Sequence, residues 1–556
     1  MPMPSEGTAW LPDFHAPAFD RYQLNEAIWL NDTAELGKIL RGGSQSNEAG
    51  RAAAGRVKRK GLLVDIARRW GWQRIGDSPA NEKRTDLPVP IGGSIAALSA
   101  GQLMAEAPTV RLFETKSDGK RAQINNEQQA RLDLFANSDD AHMTLLEAAE
   151  TAAAIGGVVL KAAWDVDDKD RESVWFDSIG ADCSLPEFNG NGRLVAVSLF
   201  QEYPADGSKV FRHIERHSIG FIEHALYLGT ESSIGKLAPL DKVEALSYLL
   251  EADHTMDGLV AVIPTGLERL TAQFWRNRPA RAWRRSGNLA NLGRSDFESI
   301  EPLIDAYSEL WGSAMRDVRL GKARLLVPVG MLDSMGAGDG GSFDPDREIF
   351  TEVGGLDPES GTNTIKDTQP GIRWQEHLNL LAAAKMEILD GAGWSMASYG
   401  NPVGIDSGGA ATATEVNDRT TKSERTRDAK ALEYKSAANP FFRMLAELDG
   451  LMYPGKGSGP ITNELAIDFP DVSQVNPAEQ ARTFLDLSTA NAISIEQTVR
   501  ERRPNWDEEQ VRGEVAKIAK QMADVNGSTL ADPSTFGRET ITLDATDPNP
   551  EKDGTE

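Results

Sequence analysis

The chain has 556 residues, with 59 Lys and Arg against 84 Asp and Glu, a formal charge of −25 at pH 7. At roughly 100–200 residues per domain this length makes about three or four domains, and a composition of 40% hydrophobic and 26% charged residues excludes a chain disordered throughout. A single cysteine, Cys183, excludes a disulfide scaffold and a cysteine-rich zinc site, while the acid excess argues against a coat that holds nucleic acid by neutralising its phosphates.

In chain order, a Pro-rich start leads to a predicted helix over Leu24–Leu40, a Gly/Ser/Asn linker over Gly42–Gly50, basic residues at Arg51–Lys60 and an apolar helix over Leu62–Trp72. A helix is expected from Ile95 to Ala105 and a longer one over Asn125–Gly156. Short strands bounded by Asn-Gly, Asp-Gly and Pro follow at Val158–Trp164, Val174–Phe176, Leu194–Gln201, Val210–His217 and Ile219–Tyr227, with a helix over Asp241–Leu250. Pro302–Val318 carries the clearest helical period: Leu303, Ile304, Tyr307, Leu310, Trp311, Ala314 and Val318 step by three and four. Strands at Leu325–Val329 and Glu348–Val353 flank a Gly/Asp loop. A second amphipathic helix, Trp374–Leu389, is followed by a Gly/Ser/Ala segment, Gly391–Ala411. A charged helix over Thr414–Leu451 contains Pro440, which predicts a kink. Helices at Pro477–Ala490, near Ser494 and from Pro504 precede Asp524–Glu556, whose acids, Pro, Thr and Gly read as a disordered tail.

Few residues invite chemistry. Gly336-Ala-Gly-Asp-Gly-Gly341 matches G-x-G-x-x-G in form, but no helix opens after it, so a flexible loop is the expectation. His213, Glu215 and His217 alternate on a strand and share a face, with His224 beyond; a metal is one reading and a charged sheet surface the favoured one. The acids Asp165, Asp167, Asp168 and Asp170 fail the calcium-loop pattern and read as an acidic hairpin turn. No Walker A loop, G-x-S-x-G elbow or H-E-x-x-H is present, so no catalytic residue, cofactor or metal is assigned. The basic cluster Arg269–Arg285 sets Arg276, Arg278, Arg281 and Arg284 among Phe274, Trp275 and Trp283; single-strand binding and a protein interface both fit, and in so acidic a chain the interface is favoured. No apolar stretch is long enough to span a bilayer: Met143–Leu160 is broken by Glu147 and Glu150. The Met-Pro-Met-Pro-Ser-Glu start gives no sign of a secretory signal.

Several segments, taken in order, resemble the portal proteins of tailed bacteriophages. They are Gly156-Gly-Val-Val-Leu-Lys-Ala-Ala-Trp164-Asp; Phe211-Arg-His-Ile-Glu-Arg-His217-Ser-Ile-Gly220; Gly293-Arg-Ser295-Asp296-Phe-Glu298 running into Pro302-Leu-Ile-Asp305-Ala-Tyr307; Ser407-Gly-Gly-Ala410; and Ala490-Asn-Ala-Ile-Ser494 with Pro504-Asn-Trp506-Asp. The resemblance implies an α+β portal fold and a ring, usually of twelve copies, at one capsid vertex. Its parts would be a wing over 1–300, a stem helix over 301–324, a clip over 325–370, a second stem helix over 371–390, a tunnel loop over 391–411, wing again over 412–470, a crown over 471–523 and the acidic tail over 524–556.

By the same resemblance Arg316, Arg319 and Lys322 would face a DNA channel, although cations at a helix C-terminus also suit its dipole. Tyr399, Asn401, Pro402, Val403, Gly404, Asp406, Ser407 and Gly408 would form the tunnel loop, and Asp333, Asp339, Asp346, Arg347 and Asp367 a clip facing the terminase and adaptors. The partners implied are double-stranded DNA passing non-specifically, the large terminase, the major capsid and scaffold proteins, and head-completion proteins. The location implied is the virion, with the host cytoplasm during assembly. Two alternatives stand beside this: a minor capsid or scaffold protein without a channel, and a metal-dependent nucleic-acid enzyme, for which Asp165, Asp167 and Asp168 are the acidic set available.

Overall fold

The structure, a computed structural model, describes residues 3–36, 88–115, 121–124, 126–168, 170–251, 255–256, 258–320, 324–326, 333–334, 341–342, 366–368, 372–400, 413–470, 493–502 and 508–529. The chain divides into two compact units, Met1–Pro470 and Asp471–Glu556.

The first unit opens with helix α1 (Ala16–Trp29), which starts at Ala16, with Pro17 in its first turn, rather than at Leu24 and ends before Asn31, a left-handed residue at φ 55°. Helix α2 (Ile91–Met104) follows, earlier than expected because Pro90 stands at its N-cap. The predicted long helix over 125–156 is two: α3 (Glu127–Ala136) and α4 (Asp139–Ile155). Asn126 and Ser138 each cap the amide three residues on, and Asp139 and Asp140 sit in the first turn of α4, where acids suit the helix dipole. Long helix α7 (Ala413–Met452, 40 residues) runs through Pro440. Between α4 and α7 lie α5 (Glu301–Leu320) and α6 (Trp374–Ala392).

Three antiparallel sheets pack with these helices. Strands β1 (Thr109–Thr115) and β2 (Arg121–Gln123) join β17 (Glu464–Asp468) in the order β17-β1-β2. Strands β3 (Gly157–Ala163) and β4 (Trp175–Gly180) join β12 (Ala272–Arg276) in the order β12-β3-β4. The largest sheet contains β5 (Ser184–Phe188), β6 (Leu194–Pro204), β7 (Val210–Ser218), β8 (Phe221–Thr230), β9 (Ser233–Ala238), β10 (Thr255–Met256) and β11 (Val260–Pro264). Its order is β10-β11-β8-β7-β6-β5, with β9 also paired to β8. Pro186 hides β5 from sequence reading, and the strand lies at the sheet end, where proline is tolerated. The expected helix over Asp241–Leu250 is instead a pair of 3-10 turns and one helical turn at Tyr248–Glu251, placed so that Leu240, Leu246 and Leu249 are buried on the sheet. The N-terminal segment straps the edge of β9: Ile234 N donates to Thr8 O at 3.0 Å, Gly7 N to Gly235 O at 2.8 Å, and Trp10 N to Ser232 O at 3.0 Å.

Two main cores follow. One gathers Leu132, Leu145, Val158, Phe176, Tyr434, Phe441, Phe442 and Leu445 where α3, α4 and α7 meet the two smaller sheets. The other gathers Tyr22, Leu24, Ile95, Ile155, Phe274, Phe297, Ile304, Tyr307, Ile388 and Trp394 around α1, α2 and the bases of α5 and α6. The first is tied across by Arg131, whose guanidinium donates twice to the buried Asp449 at 2.7 and 2.9 Å while Val174 N donates to the same carboxylate at 3.2 Å.

His213, Glu215 and His217 do share one face of β7, yet they are not a charged sheet surface: His213, His217 and His224 are all buried. Arg212 and Arg216 turn to the opposite face and pair with Glu202 and Glu187. Glu215 accepts from Lys161 at 2.9 Å and lies 3.0 Å from His217 Nε2; burial works against its charge, but His217 and Lys161 hold its pKa well below the usual range. His213 Nε2 lies 3.2 Å from His224 Nδ1 in stacked rings, and burial lowers the two pKa values to about 4 and about 3. With these nitrogens and carboxylates occupied by one another, no group of His, Cys, Asp or Glu among the described residues is arranged to hold a metal.

Strands β13 (Arg324–Leu326) and β16 (Lys366–Thr368) pair, as do β14 (Asp333–Ser334) and β15 (Gly341–Ser342). The predicted strand over Glu348–Val353, most of the Gly336–Gly341 stretch, the 42–72 linker and helix, and the helix over 477–490 lie outside the described residues. In the second unit α8 (Ile495–Arg502) lies against α9 (Glu508–Thr529), which continues past Asp524, the expected start of the tail. Residues 530–556 lie outside the described residues.

A neutral buried His pair in the fold, free to protonate once unfolded, withdraws stability as pH falls from about 6.5 towards the folded values. The sign follows because the unfolded state then binds more protons, each group contributing up to about 1.4 kcal/mol per pH unit. Urea midpoints measured from pH 7 to 4 are therefore expected to fall less steeply in the His213→Gln/His224→Gln variant than in wild type; equal slopes would show that the pair carries no such linkage.

Candidate functional site

Helices α5 and α6 form an antiparallel hairpin, and its base is tightly held by neighbouring elements. The turn into α5 is Gly293-Arg-Ser295-Asp296. Ser295 Oγ and Asp296 N both donate to Ala153 O, at 3.3 and 2.9 Å, near the end of α4. The backbones of Gly293 and Gly156 touch: a Cβ on Gly293 would stand 1.8 Å from Gly156 O, and Gly156 itself is at φ 120°. Neither position accepts a side chain. Gly156 O meanwhile accepts from Asn277 N at 3.0 Å, which seats the end of β12 against the same turn.

Asp296, fully buried, is the hub. It accepts from Lys430 Nζ at 2.5 Å and Asn277 Nδ2 at 3.0 Å, with Arg278 Nε 3.6 Å away. Lys430 Nζ also donates to Ser99 Oγ at 2.5 Å and lies 5.5 Å from the Trp394 ring centre. Burial alone would raise the Asp296 pKa, but Lys430 and Arg278 beside it hold it below the ordinary value. Burial pulls Lys430 down to about 8, against the pull of Asp296, so both groups are charged at pH 7. Helices α2, α5 and α7 and the loop after β12 thus converge on one ion pair.

The other end of the hairpin is held by the same neighbours. Arg278 Nη2 donates to Ala392 O at 3.2 Å, Thr426 Oγ1 to Gly393 O at 2.8 Å, and Lys422 to the Asp390 carboxylate and carbonyl. Beyond Gly393, Ser395 N donates to Ser423 Oγ at 2.9 Å and Ser398 Oγ to Ser423 Oγ at 2.8 Å, fastening residues 395–398 to α7. Arg21 closes the arrangement from α1, donating to Glu301 at 2.6 Å.

The far half of the hairpin has no such support. Asp317 of α5 pairs with His377 at 2.8 Å and Arg373 at 3.1 Å, and these partners lower its pKa. The apolar side chains beside that contact are open: Val318 is 44% exposed, Trp374 59% and Leu378 49%. The apolar stripes read from the sequence are therefore buried only near the base, at Ile304, Tyr307, Leu381, Ile388 and Leu389.

The residues singled out from sequence fall as follows. Arg316 is exposed on α5, Arg319 lies in the last turn of that helix, and Lys322 is outside the described residues. Tyr399 packs under Lys385, whose ammonium is 4.1 Å from the ring centre. Asn401, Pro402, Val403, Gly404, Asp406, Ser407 and Gly408 lie outside the described residues, as do Asp339, Asp346 and Arg347. Asp333 is in β14, and Asp367 is in β16 opposite Leu325. Arg276 is engaged within the chain, donating to Glu433 at 2.6 and 3.2 Å, as is Arg278. Trp283 packs on the core around α1, leaving Arg281 and Arg284 exposed. Sequence reading passed over Asp296 and Lys430 as partners, although Asp296 sits inside a stretch it had marked.

The phage portal protein family, SPP1 Gp6-like, matches residues 273–528, from β12 through the hairpin and α7 into the second unit. No curated protein matches the chain. Among solved structures, the chain is similar to one from the neck of an empty GTA particle computed with C6 symmetry, at 12% identity and a TM-score of 0.35, over 82% of this chain and 96% of that one. No helix among the described residues is long and apolar enough to cross a membrane.

Removing one member of the buried pair strands the other. Asp296→Asn and Lys430→Met are each expected to cost about 3–5 kcal/mol of unfolding free energy. The double variant should cost clearly less than the sum, and urea unfolding of the three proteins measures the coupling. Gly293→Ala is expected to leave no soluble folded protein, read as loss of the monodisperse peak on size exclusion.

Proposed function

We propose that this chain is a phage portal protein, which assembles as a ring around a channel at one capsid vertex. The observation that carries the reading is the α5–α6 hairpin inside the family-matched segment. It is rigidly founded at one end by the Asp296–Lys430 cluster, and apolar residues are left open at the other. Exposed apolar side chains on helices that pack only one another are stabilised when a neighbouring copy covers them, and a heterologous contact repeated by rotation closes a ring.

In this reading α5 and α6 are the two stem helices, 325–370 the clip, 391–411 the tunnel loop, 412–470 with the N-terminal 300 residues the wing, and 471–523 the crown. Twelve copies is the expected number. Double-stranded DNA would pass without sequence preference, driven in by a terminase that docks with the clip and released later through head-completion proteins on the same face. Arg316, Arg319 and Lys322 would meet phosphates in the stem, while the acid excess limits how tightly DNA is held. The capsid and scaffold proteins would surround the wing. The role is a conduit and docking ring, and nucleotide hydrolysis is assigned to the terminase.

Electron microscopy of the purified protein in negative stain, with mass measurement, tests this. Rings with a central hole are expected, and deletion of residues 401–412 is expected to spare the rings while reducing packaged DNA at least tenfold. Monomers or dimers at every concentration and salt would overturn the reading.

A further inference from the structure

The three-stranded sheet β12-β3-β4 carries opposite charge at its two ends. At one end, where Arg276 pairs with Gly157, the chain leaves β12 into a loop bearing Arg281, Arg284 and Arg285. All three are exposed and none has a hydrogen bond or ion pair among the described residues, unlike Arg276 and Arg278. Packing of Trp283 on the core fixes the loop beneath them, and Arg278 and Arg281 add to the positive field felt by Arg294. At the other end, where Ala163 pairs with Trp175, the β3–β4 connection bears Asp165, Asp167, Asp168 and Asp170, all exposed. Asp165 accepts from Asp167 N and Asp168 from Asp170 N, so these two carboxylates hold the turn. The carboxylates of Asp167 and Asp170 have no bond to the described residues of the hairpin, and both residues are exposed. Six residue steps of about 3.3 Å put the two ends about 20 Å apart.

We propose that these ends meet between copies: the Arg281/Arg284/Arg285 loop of one copy docks on the Asp167/Asp170 hairpin of the next. The occupant is a second copy because the complementary charge is built into the same rigid sheet, at the opposite end. A single patch cannot satisfy itself this way within one molecule, and a head-to-tail contact is the kind that a ring repeats. An exposed arginine loop in a chain of net charge −25 is thereby explained without nucleic acid. The proposal rests on the ring reading above and adds which surfaces determine the order of neighbours.

A charge swap in the full chain tests it. R281E/R284E/R285E sets acid against acid at every contact, and D167K/D170K sets base against base. Each alone is expected to raise the concentration at half-assembly at least about tenfold, with folding checked by circular dichroism. Mixed in equal amounts, the two variants place Glu against Lys and Arg against Asp in alternation, so assembly is expected to return, with even-numbered rings only. Mass photometry at low and high salt reads each state. The proposal is overturned if folded single variants assemble as wild type does, or if the mixture fails to recover. It is equally overturned if R281E/R284E/R285E assembles normally but loses binding to a single-stranded oligonucleotide. A wild-type protein that forms no ring fails the ring reading itself, whereas wild-type rings with indifferent variants fail only this contact.

Discussion

The base of the hairpin is arranged around a charge that had to be neutralised out of water. Asp296 has no access to solvent, and an isolated carboxylate there would cost several kcal/mol or more. The partners that make it tolerable come from three separate stretches of chain: Ser99 through Lys430, then Asn277 with Arg278, and Lys430 directly. Hydrophobic burial would hold α2, α5 and α7 together in many registers. The ion pair admits one, because both charges must coincide to within hydrogen-bond distance. A second buried pair, Arg131 with Asp449, does the same for α3 and the far end of α7.

The hairpin inherits its geometry from this cluster. The same few side chains grip the start of α5 and the end of α6, so the two helices leave the body at a fixed angle and separation. Beyond the grip, Asp317 pairs with His377 and Arg373, and apolar residues turn outward. The hairpin is thus stiff where it is rooted and leaves apolar side chains uncovered where it projects.

Much of this was legible in the sequence. The stripe from Leu303 to Val318 placed α5 almost to the residue, because a 3.6-residue period over five turns leaves little choice, and Trp374–Leu389 did nearly as well for α6. The antiparallel strands between 157 and 230, apart from β5, announced themselves through turn residues. What was not legible depended on distance along the chain. Lys430 looked like one more charge on a mixed-sign helix, since nothing in local sequence says that it meets a residue 134 positions earlier. His213 and His224 looked like surface residues for the same reason: alternation says which face a side chain takes, but not whether that face is covered. The split of 125–156 into two helices could have been read from Asn137-Ser138-Asp139-Asp140, a stop followed by a cap, had that signal been weighed against the apolar run around it.

Lys430 and Asp449 stand on one helix, 19 residues and so about 29 Å apart, each locked to a different part of the body. A rod pinned at two points by charges of opposite sign cannot ratchet. Sliding by a single turn, about 5.4 Å, would empty both buried sites at once and carry each charge into apolar surroundings. The stretch of α7 between them is therefore a fixed ruler. Whatever motion the protein makes while working has to be taken up outside it, and the serine-tethered residues 395–398 are the nearest place where only neutral hydrogen bonds would have to be exchanged.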